Sequence, residues 1–218
     1  SNGNVGVIGS SYLGFTALMT LINPHPALKG VIAQSPMVDG WRGDDWFHNG
    51  AFRISSLAFP LGLGFNKGDG GGEFVLGAGD EYVRFLEAGS VADFVKSVNA
   101  QQVPGIRKFV ENPAYTEFWS LQAVDKWLAA RPHTVPTMLV VGQWDQEDSY
   151  GAPAAYRALE PKDKNNDRVS LVIGPWRHSG WGCICPRSRI PWRKGRQSPR
   201  PSWPLMSSSA RSRRSARL

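Results

Sequence analysis

Cysteine and long apolar runs are scarce in this 218-residue chain, and each scarcity removes a class of explanation. Its two cysteines, Cys183 and Cys185, stand one residue apart with no second pair. They make neither a disulfide framework nor a zinc-finger pattern, and no metal is expected. No apolar stretch approaches the ~20 residues a membrane helix needs, so no membrane association is expected. No basic-then-apolar leader is present either, which says little for a sequence that opens directly on a strand. Acidic residues are missing altogether from 183–218, which hold 10 Lys+Arg. The remaining 25 − 10 = 15 basic residues of 1–182 face 18 acidic ones, a net −3. The formal +7 therefore belongs to the tail, and a specific nucleic-acid partner is not expected. Residues 68–72, glycine apart from Asp69, lack a following Lys-Ser/Thr and read as a loop rather than a phosphate cradle.

What is present is a globular body, 41% hydrophobic with 9 Trp. Val5-Gly6-Val7-Ile8 runs into Gly9-Ser10-Ser11-Tyr12-Leu13-Gly14, and apolar Phe15, Leu18, Met19 and Ile22 follow at helical spacing. That is strand, sharp turn and helix with Ser11 at the apex, the setting of a nucleophile elbow. A serine at such a turn can equally be an ordinary helix N-cap. Pro24 and Pro26 end the helix and leave His25 in a surface loop. Residues 31–33 read as a buried strand, so the opening is a βαβ unit and predicts a parallel sheet.

From 37 to 133 the strand pattern stops. Helical patterns at 80–86, 91–98 and 115–130 predict a mostly helical cap insertion. Strand character returns at 137–142 and ends in Trp144-Asp145-Gln146-Glu147-Asp148. A helix is expected over 152–159 and a last strand over 169–174, followed by Pro175-Trp176-Arg177-His178. The expected domains are 1–36 with 134–182 as the core, 37–133 as the cap, and 183–218 as a disordered Ser/Arg/Pro-rich tail. Ser11, Asp145 and His178 each follow a strand end, where open α/β sheets place ligands. Their order, Ser…Asp…His, is that of α/β-hydrolases.

The elbow Gly9-Ser10-Ser11-Tyr12-Leu13-Gly14 resembles that of the cocaine esterase and X-Pro dipeptidyl-peptidase family. Ser35-Pro36-Met37-Val38-Asp39-Gly40-Trp41, Gly43-Asp44-Asp45-Trp46-Phe47-His48, Trp144-Asp145-Gln146-Glu147-Asp148 and Gly174-Pro175-Trp176-Arg177-His178-Ser179-Gly180 are similar to its α-amino acid ester hydrolases. The resemblance covers residues 1–180. It implies an α/β-hydrolase fold, here an incomplete parallel sheet flanked by helices with a helical cap. It also implies a serine hydrolase or acyltransferase for α-amino acid esters or amides, including acyl transfer to an amine such as a β-lactam nucleus, without a cofactor. Ser11 would be the nucleophile, His178 the base and Asp145 its orienting acid, with the Tyr12 N–H as an oxyanion donor. Asp45, Glu147 and Asp148 would bind the substrate's α-ammonium. One such pair at ~4 Å is worth on the order of 4 kcal/mol at an effective dielectric of ~20, before desolvation. Read without the resemblance, Asp45 is a helix cap, and Glu147 and Asp148 are first-turn acids of the next helix.

The resemblance further implies strands upstream of the elbow, a tyrosine hydroxyl from that region in the oxyanion hole, a homo-oligomer and a periplasmic location. Neither upstream feature lies within these 218 residues, so weak or no activity is expected of the chain alone. The change of composition after Gly182 reads as a frame shift or fusion. Two other readings stand beside the first. One is a related esterase or X-Pro dipeptidyl-peptidase-type hydrolase with another acyl preference. The other is an inactive fragment whose basic tail binds anions non-specifically.

Overall fold

The computed structural model describes residues 2–43, 45–57, 59–61 and 80–180. The glycine-rich stretch 68–72, both cysteines and the basic tail lie outside the described residues.

A four-stranded parallel sheet organises the described chain. Its strands are β1 (Val5–Ser10), β2 (Leu28–Gln34), β5 (Thr137–Trp144) and β6 (Val169–Arg177), hydrogen-bonded in the order β1-β2-β5-β6. Ile8 pairs with Ile32, Ile32 with Met138, and Met138 with Ser170. Parallel neighbours need crossovers. Helix α1 (Tyr12–Met19) supplies the first, and α7 (Gly151–Leu159) the last.

Alternation along the strands decides where the core sits. Val31, Ala33, Leu139, Val141 and Val169 point to one face and pack against Ala17 and Leu18 of α1 and Ala152, Ala155 and Leu159 of α7. The small alanines let both helices lie close on the sheet. Parallel sheets usually cover both faces. Here the opposite face carries Ile8, 63% exposed, and Met138, 40% exposed. A cavity of about 650 Å³ lies over it, against Ile8, Ile32 and Met138, toward the strands' N-terminal ends.

Between β2 and β5 the chain forms a two-residue hairpin, β3 (Phe47–His48) with β4 (Ala51–Phe52), and, from residue 80 on, five α-helices. These are α2 (Glu81–Ala88), α3 (Val91–Ser97), α4 (Pro104–Glu111), α5 (Glu117–Ser120) and α6 (Val124–Ala129). Asp80 caps α2 by accepting the Tyr82 N–H, and Ser90 caps α3 by accepting that of Asp93. Leu57, Leu61, Phe94, Val95 and Ile106 bury themselves in a second core. Val38, Val124 and Leu128, by contrast, join the core under the sheet.

Several boundaries differ from the sequence reading. The pattern over 115–130 resolves into α5 and α6 with a break at 121–123, because Leu121 caps α5 and Val124 turns in to donate its N–H to Val38 O. Helix α4, with Pro104 in its first turn where a missing N–H costs nothing, and the β3–β4 hairpin are additions to the elements expected from the sequence. Strand β6 runs on through Pro175 to Arg177. A register shift between Gly142 and Trp144 on β5 absorbs the proline.

Candidate active site

Ser11 sits between β1 and α1 at φ 60°, ψ −126°. A side chain there is strained, at a cost of order 1–3 kcal/mol, and such residues persist where the surroundings over-determine them. Two glycines make the turn feasible. A Cβ on Gly9 would lie 2.0 Å from Leu13 O, and one on Gly14 would lie 2.7 Å from Gln34 O. The Ser11 N–H donates to Gln34 O at 2.9 Å, which ties the apex to the end of β2. The side chain of Ser11 makes no capping hydrogen bond, so the N-cap alternative does not describe it. Tyr12 opens α1, where first-turn N–H groups have no partner within the helix and favour negative charge.

Asp145 and His178 follow β5 and β6 at the same end of the sheet. His178 Nδ1 lies 3.0 Å and 3.1 Å from the two Asp145 oxygens. Asp145 Oδ1 also accepts the N–H groups of Glu147 at 2.9 Å and Asp148 at 2.8 Å, folding the W-D-Q-E-D run back around its own carboxylate. Burial pushes the Asp145 carboxyl up. The His178 ring, the Ser35 hydroxyl and those two N–H groups outweigh burial and bring it to about 2. The carboxylate is thus ionised, and it orients His178 with Nδ1–H toward itself, leaving Nε2 to accept a proton. Burial lowers His178, but the Asp145 bond and the charges of Asp145, Glu147 and Asp45 leave it raised above 6.5.

Among the described residues no hydrogen bond joins Ser11 to His178. Nε2 instead faces Glu147 Oε2 at 3.5 Å. Catalytic hydrogen bonds are often open without substrate and close only in the complex.

Asp45, Glu147 and Asp148 converge on the same imidazole. Asp148 is 2% exposed, with Oδ2 3.8 Å from His178 Nδ1. Burial and the neighbouring Asp45, Asp145 and Glu147 raise the Asp148 carboxyl to about 11. Asp45 is also raised, by burial first, while its hydrogen bond from Asp148 holds it down. Burial and repulsion from neighbouring acids thus hold both carboxyls of this pair toward the neutral form. Asp45 lies outside any helix, just before β3, and Glu147 and Asp148 precede Gly151, the first residue of α7. Neither capping nor a first-turn position describes these three.

Three other residues of the site were not read from the sequence. Ser35, fully buried, stands beside Asp145 and has φ 39°. Arg53 Nη1 donates to Glu147 O at 3.4 Å, and its charge lowers Asp45. Ser179 Oγ meets Ser10 Oγ at 2.6 Å. All three contacts join segments far apart in the chain, and no local pattern signals them. Along α1 an apolar groove of about 520 Å³ starts at Tyr12 and is lined by Phe15, Met37, Trp46, Trp119 and Trp127.

The family model of the X-Pro dipeptidyl-peptidases (S15 family) matches residues 1–180. Among solved structures, a selenomethionine-labelled α-amino acid ester hydrolase is 50% identical, with a TM-score of 0.78, over 83% of this chain and 29% of that one. An aminopeptidase from a marine-sediment Thaumarchaeota archaeon is 44% identical, with a TM-score of 0.76, over 82% of this chain and 29% of that one. The matched part of this chain thus spans less than a third of either relative's length. No curated protein matches the chain significantly.

Proposed function

The chain belongs to the X-Pro dipeptidyl-peptidase (S15) family and has its α/β-hydrolase fold, and from that premise we propose that it bears the active site of a serine hydrolase for α-amino acid esters. The observation that carries the reading is the Asp145–His178 pair, held at the sheet end where Ser11 occupies a strained apex. In this reading Ser11 Oγ attacks the ester carbonyl and His178 Nε2 takes its proton. The Tyr12 N–H donates to the oxyanion, a contact typically worth about 3 kcal/mol in the transition state. His178 returns the proton to the departing alcohol, and water then releases the acyl group by the same steps in reverse. An amine in place of that water gives acyl transfer. Residues 37–133 serve as a cap, anchored by Val38, Val124 and Leu128 in the core under the sheet.

Asp45, Glu147 and Asp148 receive the α-ammonium, which replaces the proton of Asp148. Drawing Glu147 toward the ammonium frees His178 Nε2 for Ser11, so an amino-bearing substrate completes the catalytic contact. The groove starting at Tyr12 offers the acyl side chain an apolar, aromatic lining. Similarity at 50% identity to an α-amino acid ester hydrolase favours an ester over an X-Pro peptide as substrate.

Labelling by a fluorophosphonate, located by mass spectrometry, tests the nucleophile. Modification at Ser11 that is lost in Ser11→Ala is expected, and an unmodified Ser11 refutes the triad. Paired esters with and without an α-amino group test the cluster. Equal turnover of the two removes the ammonium assignment.

A further inference from the structure

The corner between Glu147, Asp148 and His178 also has the makings of a different site. A His178 ring nitrogen and one carboxylate oxygen from each acid lie within 4.8 Å of one another. His178 Nε2 and Glu147 Oε2 are 3.5 Å apart. Two donors bound to one zinc at about 2.1 Å and near the tetrahedral angle stand about 3.4 Å apart, so this pair is already spaced as a coordination edge. The other ring nitrogen points at Asp145, 3.0 Å away. That carboxylate–imidazole pairing is the one that fixes the tautomer and ring plane of a metal-binding histidine.

Crowded acids alone would be an ordinary acidic patch. Here a second observation singles the corner out. Asp148 Oδ2 is buried and has no hydrogen-bond partner; it lies 3.8 Å from His178 Nδ1, on the Asp145 side of the ring, and within 4.8 Å of the cluster's other donor atoms. A buried oxygen without a partner is destabilising, and a cation would satisfy it.

We infer that Glu147, Asp148 and His178 form a binding site for a divalent transition cation, zinc foremost, which blocks the active site when it binds. Nε2 and a Glu147 oxygen supply two ligands; Asp148, releasing its proton to solvent as the cation enters, supplies a third, and water fills the remaining position. The imidazole selects zinc over magnesium and calcium, which prefer all-oxygen sites. Zinc on Nε2 occupies the lone pair that would take the Ser11 proton. The site itself does not rest on the proposed hydrolase reading, because coordination needs no nucleophile.

The test is zinc titration of the full chain carrying Cys183→Ser and Cys185→Ser, which removes the two thiols as competing ligands. A chromogenic chelator in competition reads binding without any turnover. One zinc per chain is expected, with Glu147→Gln and Asp148→Asn each weakening it at least tenfold. Asp145→Asn should weaken it about 10–100-fold through the orientation of the ring. Ser11→Ala should leave the affinity unchanged, and excess magnesium should not displace the metal. Melting curves identify any variant that fails to fold, and Glu147→Gln, at a half-exposed side chain, is the variant least exposed to that outcome. A chain that takes up no zinc overturns the inference, and so does one whose affinity survives both carboxylate substitutions. Zinc binding without fluorophosphonate labelling would leave this site standing and sink only the hydrolase reading.

Discussion

Ser10 Oγ and Ser179 Oγ lie 2.6 Å apart although 169 residues separate them. One precedes the proposed nucleophile and the other follows the proposed base, so a single hydroxyl contact spans the two ends of the reacting group. Ser179 holds φ 53° to reach it.

Removing either hydroxyl should leave the fold intact and misplace His178 relative to Ser11. Ser10→Ala and Ser179→Ala are each expected to slow labelling of Ser11 about tenfold, the rate equivalent of one ordinary hydrogen bond. The double substitution should cost no more than either alone. Labelling rates of the four proteins check this. Additive losses would mean the contact is not shared.

The raised His178 sets a pH dependence. Reaction needs the neutral imidazole, so labelling should climb as pH rises through a midpoint above 6.5. Glu147→Gln removes one of the charges that raise the ring and should move that midpoint down. In stability the signs are opposite for the two partners. The protonated ring favours the fold below about pH 6.5, and that gain is lost as pH rises through its raised value. Asp145 favours the fold above about pH 4, and its contribution is lost as pH falls toward 2.

Asp148 gives the contrary signature. Its carboxyl stays protonated in the fold up to about pH 11, while the unfolded chain ionises it near pH 4. The folded state binds the extra proton, so this group erodes stability as pH rises from about 4. Asp148→Asn keeps the shape without the charge. It is expected to raise the melting temperature at pH 8 by several degrees, roughly 2–4 °C per kcal/mol recovered, and to change little at pH 4. Thermal melts at the two pH values decide it.

Gly9→Ala should be among the most damaging single substitutions. Its methyl would lie 2.0 Å from the backbone of Leu13, which has no side-chain freedom to yield. A loss on the order of 3 kcal/mol, about 10 °C in melting temperature, is expected together with loss of Ser11 labelling.

Much of this was legible in the sequence because it is local. Strand-then-turn spacing placed Ser11, Asp145 and His178 at one end of one sheet, and Gly9 and Gly14 marked the elbow. Glu147 and Asp148 entered only through the resemblance carried by the Trp144–Asp148 run, since on local pattern alone they read as first-turn acids of the next helix. What escaped depends on which strands become neighbours. Ser35 reaches Asp145 only because β2 lies beside β5, and Arg53 reaches Glu147 across 94 positions. The protonation of Asp148 was equally hidden, since it follows from burial among other acids. The β3–β4 hairpin escaped because each of its strands is only two residues long.

The hydrogen-bonded neighbours β2 and β5 carry a consequence for how the molecule comes into being. Val31 meets Thr137, so closing this pair means bringing together positions more than a hundred residues apart. Such closure is paid in chain entropy before any contact rewards it, which places it among the slow steps of folding, in milliseconds to seconds. On one side of that seam stands Ser11, and on the other stand Asp145 and His178. During refolding, reactivity toward a serine probe should therefore return with the rate constant of this one long-range closure, after the helices have already regained their circular dichroism.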